Sequence, residues 1–279
     1  MASTIFLYSA VFLLGASLGS FVNAAAIRLA AGESFFIPRS RCPRCRKTLS
    51  WFELIPIVSY LVLGGLCRSC KGAIAFRYFA AEVALGSWAL VLVNIAGSGS
   101  YYHPFAVLTE KLGSWETLLI FLFYLLLGSA LAVVFLIDYD TQEILTAIVR
   151  PLILLGVFLV TAEIWISGAG FGSAAAKTLL LALAIAAAFG VIWAITRGRG
   201  LGWGDVELVL ALALFLGFPR AVIMVLFAFW IGALWGLGLM AIRGYELKSR
   251  VPFGPFLITG FVVAVFWGEI LVAYLLPLV

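Results

Sequence analysis

Leu118-Leu-Ile-Phe-Leu-Phe-Tyr-Leu-Leu-Leu-Gly-Ser-Ala-Leu-Ala-Val-Val-Phe-Leu-Ile137 runs without a charge and stops at Asp138-Tyr-Asp140. As an α-helix, a run of about 20 residues covers about 30 Å, the thickness of the hydrocarbon core of a bilayer. A helix apolar on every side finds its solvent in lipid or in a protein interior. Working outward, seven further apolar runs fall at 5–29, 75–95, 148–166, 174–195, 206–216, 221–242 and 256–278, with 206–216 short for a full span. Hydrophobic residues make up 65% of the chain, and charged residues only 11%. A soluble domain carries about 25% charged residues, so the expected fold is all-α: a polytopic membrane bundle of about eight transmembrane helices. The start of the chain, before Ile5, lacks the basic residues of a signal peptide, and the first run is read as a mature helix.

The net charge of +5 has no soluble basic domain to carry it, which argues against a nucleic-acid partner and makes the charge a record of topology in membrane lipid. With the N-terminus outside, all of the 18 basic residues except Lys111, Lys177 and Arg220 fall on one side. The positive-inside rule then places the polar loop 31–74 in the cytoplasm. The expected divisions are 1–96, with the first two membrane helices and this loop; 97–117, an external loop containing Gly97-Ser-Gly-Ser and His103-Pro104; and a six-helix block, 118–279. No internal sequence repeat stands out.

Cys42-Pro-Arg-Cys45 and Cys67-Arg-Ser-Cys70 form two C-x-x-C pairs. Their separation is close to that of a zinc ribbon, in which four thiolates close a tetrahedral, structural Zn²⁺ site with no open position for catalysis. Local disulfides or free thiols are the alternatives, and a reducing cytoplasm disfavours the disulfides. Such a loop either staples itself together or forms a basic platform for a substrate or partner.

Acids within or beside membrane helices are costly to place and are functional suspects. Asp138 and Asp140 end the third run, and Asp205 follows the turn Gly200-Leu-Gly-Trp-Gly204. The topology brings both places, far apart in sequence, to the cytoplasmic membrane surface. Two neighbouring carboxylates sharing one proton can activate water against a peptide carbonyl and protonate the leaving amine. Each acid also has a structural reading: a solvated loop end for Asp138 or Asp140, and a helix N-cap for Asp205. The glycine pattern follows a membrane helix and not a strand, which fails the context of a dinucleotide-binding turn. Glu82, Glu163 and Glu269 keep open a proton or ion pathway through the bundle.

With these residues assembled, the chain resembles the bacterial prepilin peptidase family over nearly its whole length. The resemblance rests on Leu18-Gly-Ser-Phe-Val-Asn23 with Arg28-Leu29, on Cys42 to Cys45, Trp51-Phe-Glu-Leu-Ile-Pro56, Ser59-Tyr60 and Cys67 to Cys70, and on Arg77-Tyr78 with Glu82. It continues through the Asp138 segment, Gly202-Trp-Gly-Asp205 and Pro252-Phe-Gly-Pro255. It implies an aspartic endopeptidase of the bacterial inner membrane that removes a short basic leader from type IV prepilins or secretion pseudopilins, cutting after a glycine. It also implies N-methylation of the new terminus with S-adenosylmethionine. The family's catalytic aspartates map onto Asp138 and Asp205. Asp138 is preferred to Asp140 because the first aspartate lies seven positions before a proline whose place Leu145 takes. For the methyl donor the resemblance points only to the N-terminal part, with Glu53, Glu82 and Arg28 as candidates.

Three departures from the family pattern stand out. Leu145 and Thr146 replace a usual Pro-Asp, Glu207 stands where a lysine is usual, and Ala30 replaces a proline after Arg28-Leu29. Two other functions compete: a transporter with a zinc-binding loop, and a non-catalytic membrane assembly factor that binds pilins through that loop.

Overall fold

The computed structural model describes residues 2–34, 39–98, 115–168, 173–243 and 251–275. They form α1 (Ala2–Ala30), a 3-10 turn (Trp51–Leu54), α2 (Val58–Val62), α3 (Phe76–Ser98), α4 (Glu116–Thr141), α5 (Thr146–Ser167), α6 (Ala174–Thr196), α7 (Trp203–Leu216), α8 (Arg220–Arg243) and α9 (Gly254–Leu275). Among the described residues there is no strand, only two isolated antiparallel bridges. Seven helices are long and apolar enough to cross a membrane, and the protein is a multi-span membrane protein. The short apolar run forms α7, which begins at Trp203 and has 14 residues. The centre of the expected external loop, 99–114, lies outside the described residues.

The chain divides into two compact units, one made of Met1–Tyr101 with Ser114–Leu136, the other containing Ile137–Val279. In the first, α1 packs along α3. Small residues make this close approach possible. A Cβ on Gly15 would lie 2.7 Å from Ala89 Cβ and overlap the Leu85 carbonyl, and one on Gly19 would overlap the Ala81 carbonyl. One helical turn apart, these glycines form the small-xxx-small seam by which membrane helices bring their backbones together. Trp88 Nε1 then donates to the Tyr124 carbonyl at 3.0 Å, tying α3 to α4.

In the second unit, α7 is the centre. From Asp205 to Leu216 only Glu207 and Leu210 are not buried, and α5, α6, α8 and α9 all pack on it. A helix apolar on all sides is stable in this position because every face meets another helix. Its short length follows from the same fact: it fills the bundle and does not need to span a bilayer. At the other end of the unit, Arg220 donates to Glu269 Oε1 at 2.6 Å, joining the start of α8 to α9.

Candidate functional site

The two C-x-x-C pairs fold alike. Cys42 N–H donates to the Lys47 carbonyl and Arg46 N–H to the Cys42 carbonyl, while Cys67 N–H donates to the Gly72 carbonyl and Lys71 N–H to the Cys67 carbonyl. Arg46 and Lys71 both take a positive φ, at 57° and 54°. The bridges Arg41–Thr48 and Leu66–Ala73 close the two turns in the same way. The chain therefore does contain a repeat, but one of geometry, with Cys67 to Ala73 retracing the path of Cys42 to Thr48. Apart from the cysteines, its positions share few residue types, because backbone hydrogen bonds build it.

Folding the two knuckles together places all four Sγ atoms within 4.8 Å of one another, with those of Cys42 and Cys70 3.9 Å apart. Zn–S bonds of about 2.3 Å in a tetrahedron require sulfur atoms about 3.8 Å apart. The four thiols can thus hold a tetrahedral metal ion of that size. The thiols differ: backbone N–H groups of Cys70 and Ser69 lower Cys67 to about 7, which favours its thiolate, whereas, against the Lys47 N–H, burial and the neighbouring thiols push Cys45 up to about 11.

The acids are placed differently. α4 continues past Ile137 to Thr141, so Asp138 belongs to its last turn and not to a loop end. Asp138 is buried at 3% exposure, whereas Asp140 is exposed. The N-cap of α7 is Gly202, not Asp205. Asp205 occupies the third helical position, and its Oδ2 reaches back to accept the Gly202 N–H at 2.9 Å, the carboxylate half of a capping box. It is buried at 8% exposure.

Three close contacts bring these groups together within the second unit. A Cβ on Gly204 would lie 2.7 Å from Ile144 Cβ, and one on Gly254 would lie 3.4 Å from Ile144 Cδ1 and 2.5 Å from Asp138 Oδ2. Ile144 is thus wedged between the turn before Asp205 and the first residue of α9. The two carboxylates are near enough to interact electrostatically, and the Gly254 backbone N–H also faces Asp138. Asp138 Oδ2 is buried without a hydrogen-bond partner among the described residues. A buried unpartnered carboxylate oxygen is costly.

Glu207, one turn into α7, accepts from Arg150 Nη2 at 3.1 Å and from Trp203 Nε1 at 2.9 Å. The charge that departs from the family pattern is therefore paired within the protein. The other acids are spread out. Glu82 Oε2 accepts the Ile57 N–H at 2.6 Å, Glu269 pairs with Arg220, and Glu163 Oε2 is buried with no partner among the described residues. Glu53 Oε2 accepts the Ser50 N–H at 2.9 Å. Glu53 and Glu82 thus each hold backbone of the loop 39–75.

Sequence comparison decides the family. Residues 13–95 match the bacterial peptidase A24 N-terminal domain, and residues 125–237 match the type IV leader peptidase family. A prepilin leader peptidase/N-methyltransferase of Bacillus subtilis (strain 168) is 30% identical, over 95% of this chain and 96% of the relative. This chain belongs to the type IV leader peptidase family. Relatives of the same description in Pseudomonas aeruginosa (30% identical, 86% of this chain, 75% of the relative) and Aeromonas salmonicida (28%, 94% and 91%) agree. No solved structure matches the chain. The family match over 125–237 contains both Asp138 and Asp205, and the N-terminal match contains all four cysteines. Gly254, which fits so closely against Asp138, lies beyond both matches.

Proposed function

We propose that this chain is an aspartic endopeptidase that cleaves the leader from type IV prepilins or pseudopilins at the cytoplasmic face of the bacterial inner membrane, with Asp138 and Asp205 as its catalytic pair. One observation carries the reading: two buried carboxylates on separate helices lie close enough to interact, packed against Ile144 and the glycines Gly204 and Gly254, in the peptidase part of the chain. The proposed peptidase block is 118–279, and the proposed N-terminal region is 1–96.

The surroundings suggest different roles for the two acids. Asp205 sits in the first turn of α7, where the helix dipole and the Gly202 N–H favour a negative charge. Asp138 lies in the last turn of α4, where the dipole has the opposite sign. Asp205 therefore takes a proton from water as the water attacks the scissile carbonyl, while Asp138 donates to the carbonyl oxygen. As the tetrahedral intermediate collapses, Asp205 passes its proton to the leaving amine and Asp138 recovers its own. A water and a single shared proton suffice for this cycle, and the basic leader reaches it from the cytoplasmic side.

Zinc in the four-cysteine site is the proposed structural metal; it would cross-link the two knuckles and close the loop 39–75. Methylation of the new N-terminus with S-adenosylmethionine is proposed from the description of the relatives alone. The transporter reading loses support because Glu82 is held by the Ile57 N–H and Glu269 by Arg220, which leaves Glu163 as the one unpartnered acid of the three among the described residues.

The experiment is mass spectrometry of a prepilin N-terminus after incubation with purified protein in lipid, with and without S-adenosylmethionine. Wild-type protein is expected to remove the leader and then add a methyl-sized mass. Asp138→Asn and Asp205→Asn, each shown to be inserted and folded, are expected to lower cleavage by at least about a thousandfold. Cleavage at the wild-type rate by either variant overturns the pair, and bound but uncleaved prepilin with wild-type protein favours the assembly-factor reading.

A further inference from the structure

The loop between α1 and α3 carries an apolar edge left uncovered among the described residues of its unit. Val58, Leu61 and Val62 lie at i, i+3 and i+4 along α2, on one face of it. Leu61 and Val62 are 63% and 78% exposed, and Trp51 and Leu54 on the adjoining 3-10 turn are exposed as well. In water such a face is unfavourable.

α2 is fixed at a particular height along α3. Ile57 forms a tight turn, with φ 65° and ψ −52° and with Val58 N–H donating to the Pro56 carbonyl at 2.6 Å. A turn of this form is rare and strained, above all for a β-branched residue. Glu82 holds it by accepting the Ile57 N–H, and the Tyr60 ring packs on Phe79 at 5.3 Å. Phe79 and Glu82 lie within the membrane span Phe76–Asn94, and Glu82 is about 9 Å along the helix from Phe76. The uncovered face of α2 is therefore level with the first turns of a membrane helix, at the depth where bilayer headgroups give way to acyl chains.

The charge of this loop is predominantly positive. Among residues 31–74, Arg39, Arg41, Arg44, Arg46, Lys47, Arg68 and Lys71 stand against Glu33 and Glu53, and all seven basic residues are exposed. Four zinc-bound thiolates would add two negative charges, and the loop would stay basic. A cleft of about 460 Å³ lined by Arg39, Ser40, Leu49, Ser50, Trp51 and Leu54 joins the basic and apolar parts.

We infer that α2 and the 3-10 turn form an interfacial membrane anchor, with their apolar edge in the acyl region and the basic residues of the loop on the phosphates of anionic phospholipids. A basic prepilin leader is repelled by the same charge, so this surface belongs to lipid and not to the leader. The inference rests on the membrane reading of α1 and α3 and not on the catalytic pair.

The test is photo-crosslinking of the full-length protein in nanodiscs of phosphatidylcholine, with and without phosphatidylglycerol. The photoreactive residue p-benzoylphenylalanine replaces Val62 in one variant and the exposed Ser69 in a second. The Val62 variant is expected to form a phospholipid adduct, in yield several-fold higher than the Ser69 variant and several-fold higher when phosphatidylglycerol is present. Combining it with Arg44→Gln, Arg46→Gln and Lys47→Gln is expected to remove the phosphatidylglycerol effect. No lipid adduct, equal yield in both lipids, or replacement of the lipid adduct by a prepilin adduct when prepilin is added overturns the inference. None of these readouts requires cleavage, so loss of peptidase activity leaves them interpretable.

Discussion

Gly254 has room for a hydrogen and little else, since a Cβ there would lie 2.5 Å from Asp138 Oδ2 and 3.3 Å from its Cγ. The group it would meet is the buried Asp138 carboxyl, which has to move to make room. Gly254→Ala is expected to displace the Asp138 carboxyl and lower kcat for prepilin cleavage by about a hundredfold, with a smaller effect on KM. Rate measurements on protein shown to be inserted would check this. Position 254 could not be assigned this role from residue type, since glycine before a helix is common and its partner lies in a helix far back along the chain. Asp138 itself was legible because an acid ending an apolar run is costly. Its burial inside the last turn of α4 was not, because the sequence marks where apolar residues stop and not where hydrogen bonding stops.

α7 and the tetracysteine loop show how an element positions its residues. Arg150 and Glu207 join α5 to α7 at 3.1 Å, with side-chain exposures of 64% and 13%. Solvent screens the arginine, so the coupling free energy of the pair is expected to be about 0.5 kcal/mol. A double-mutant cycle of Arg150→Glu and Glu207→Lys, read by thermal unfolding, would measure it, and the exchanged pair is expected to recover most of the loss from either single change. Among the described residues of the loop 39–75, the buried side chains are those of Cys42 and Cys67. Purified protein is expected to contain one zinc per chain, and stripping it with a chelator, or introducing Cys67→Ser, is expected to make 39–75 readily cleaved by protease. Metal analysis with limited proteolysis would check both outcomes. Neither the Arg150–Glu207 pair nor the matching of the two knuckles follows from spacing alone, because both depend on which helix or turn comes to lie alongside.

For the whole molecule, the distribution of basic residues predicts that 31–74 and the connections after α4 and α6 face the cytoplasm. Alkaline phosphatase fused after Ser69 or Arg199 is expected to be nearly inactive, and fused within 99–114 to be active. Reversal of that pattern would also remove the proposed catalytic pair from the side where a basic leader is proposed to lie. By itself, the sequence determined that the protein is helical and resides in a membrane, because the length and polarity of each run are local properties that lipid reads directly. It also determined the four thiols and two acids as candidates, since these residue types are expensive in their surroundings and the family resemblance singles out the same ones. Tertiary structure decided the rest. That α7 is a buried central helix, that Asp205 is third in its first turn and not its cap, that Ile144 and Gly254 close around Asp138, and that α2 lies level with the start of α3 are all consequences of packing between distant segments. Such contacts depend on which small residues face one another across helices, a relation that no single stretch of the chain contains.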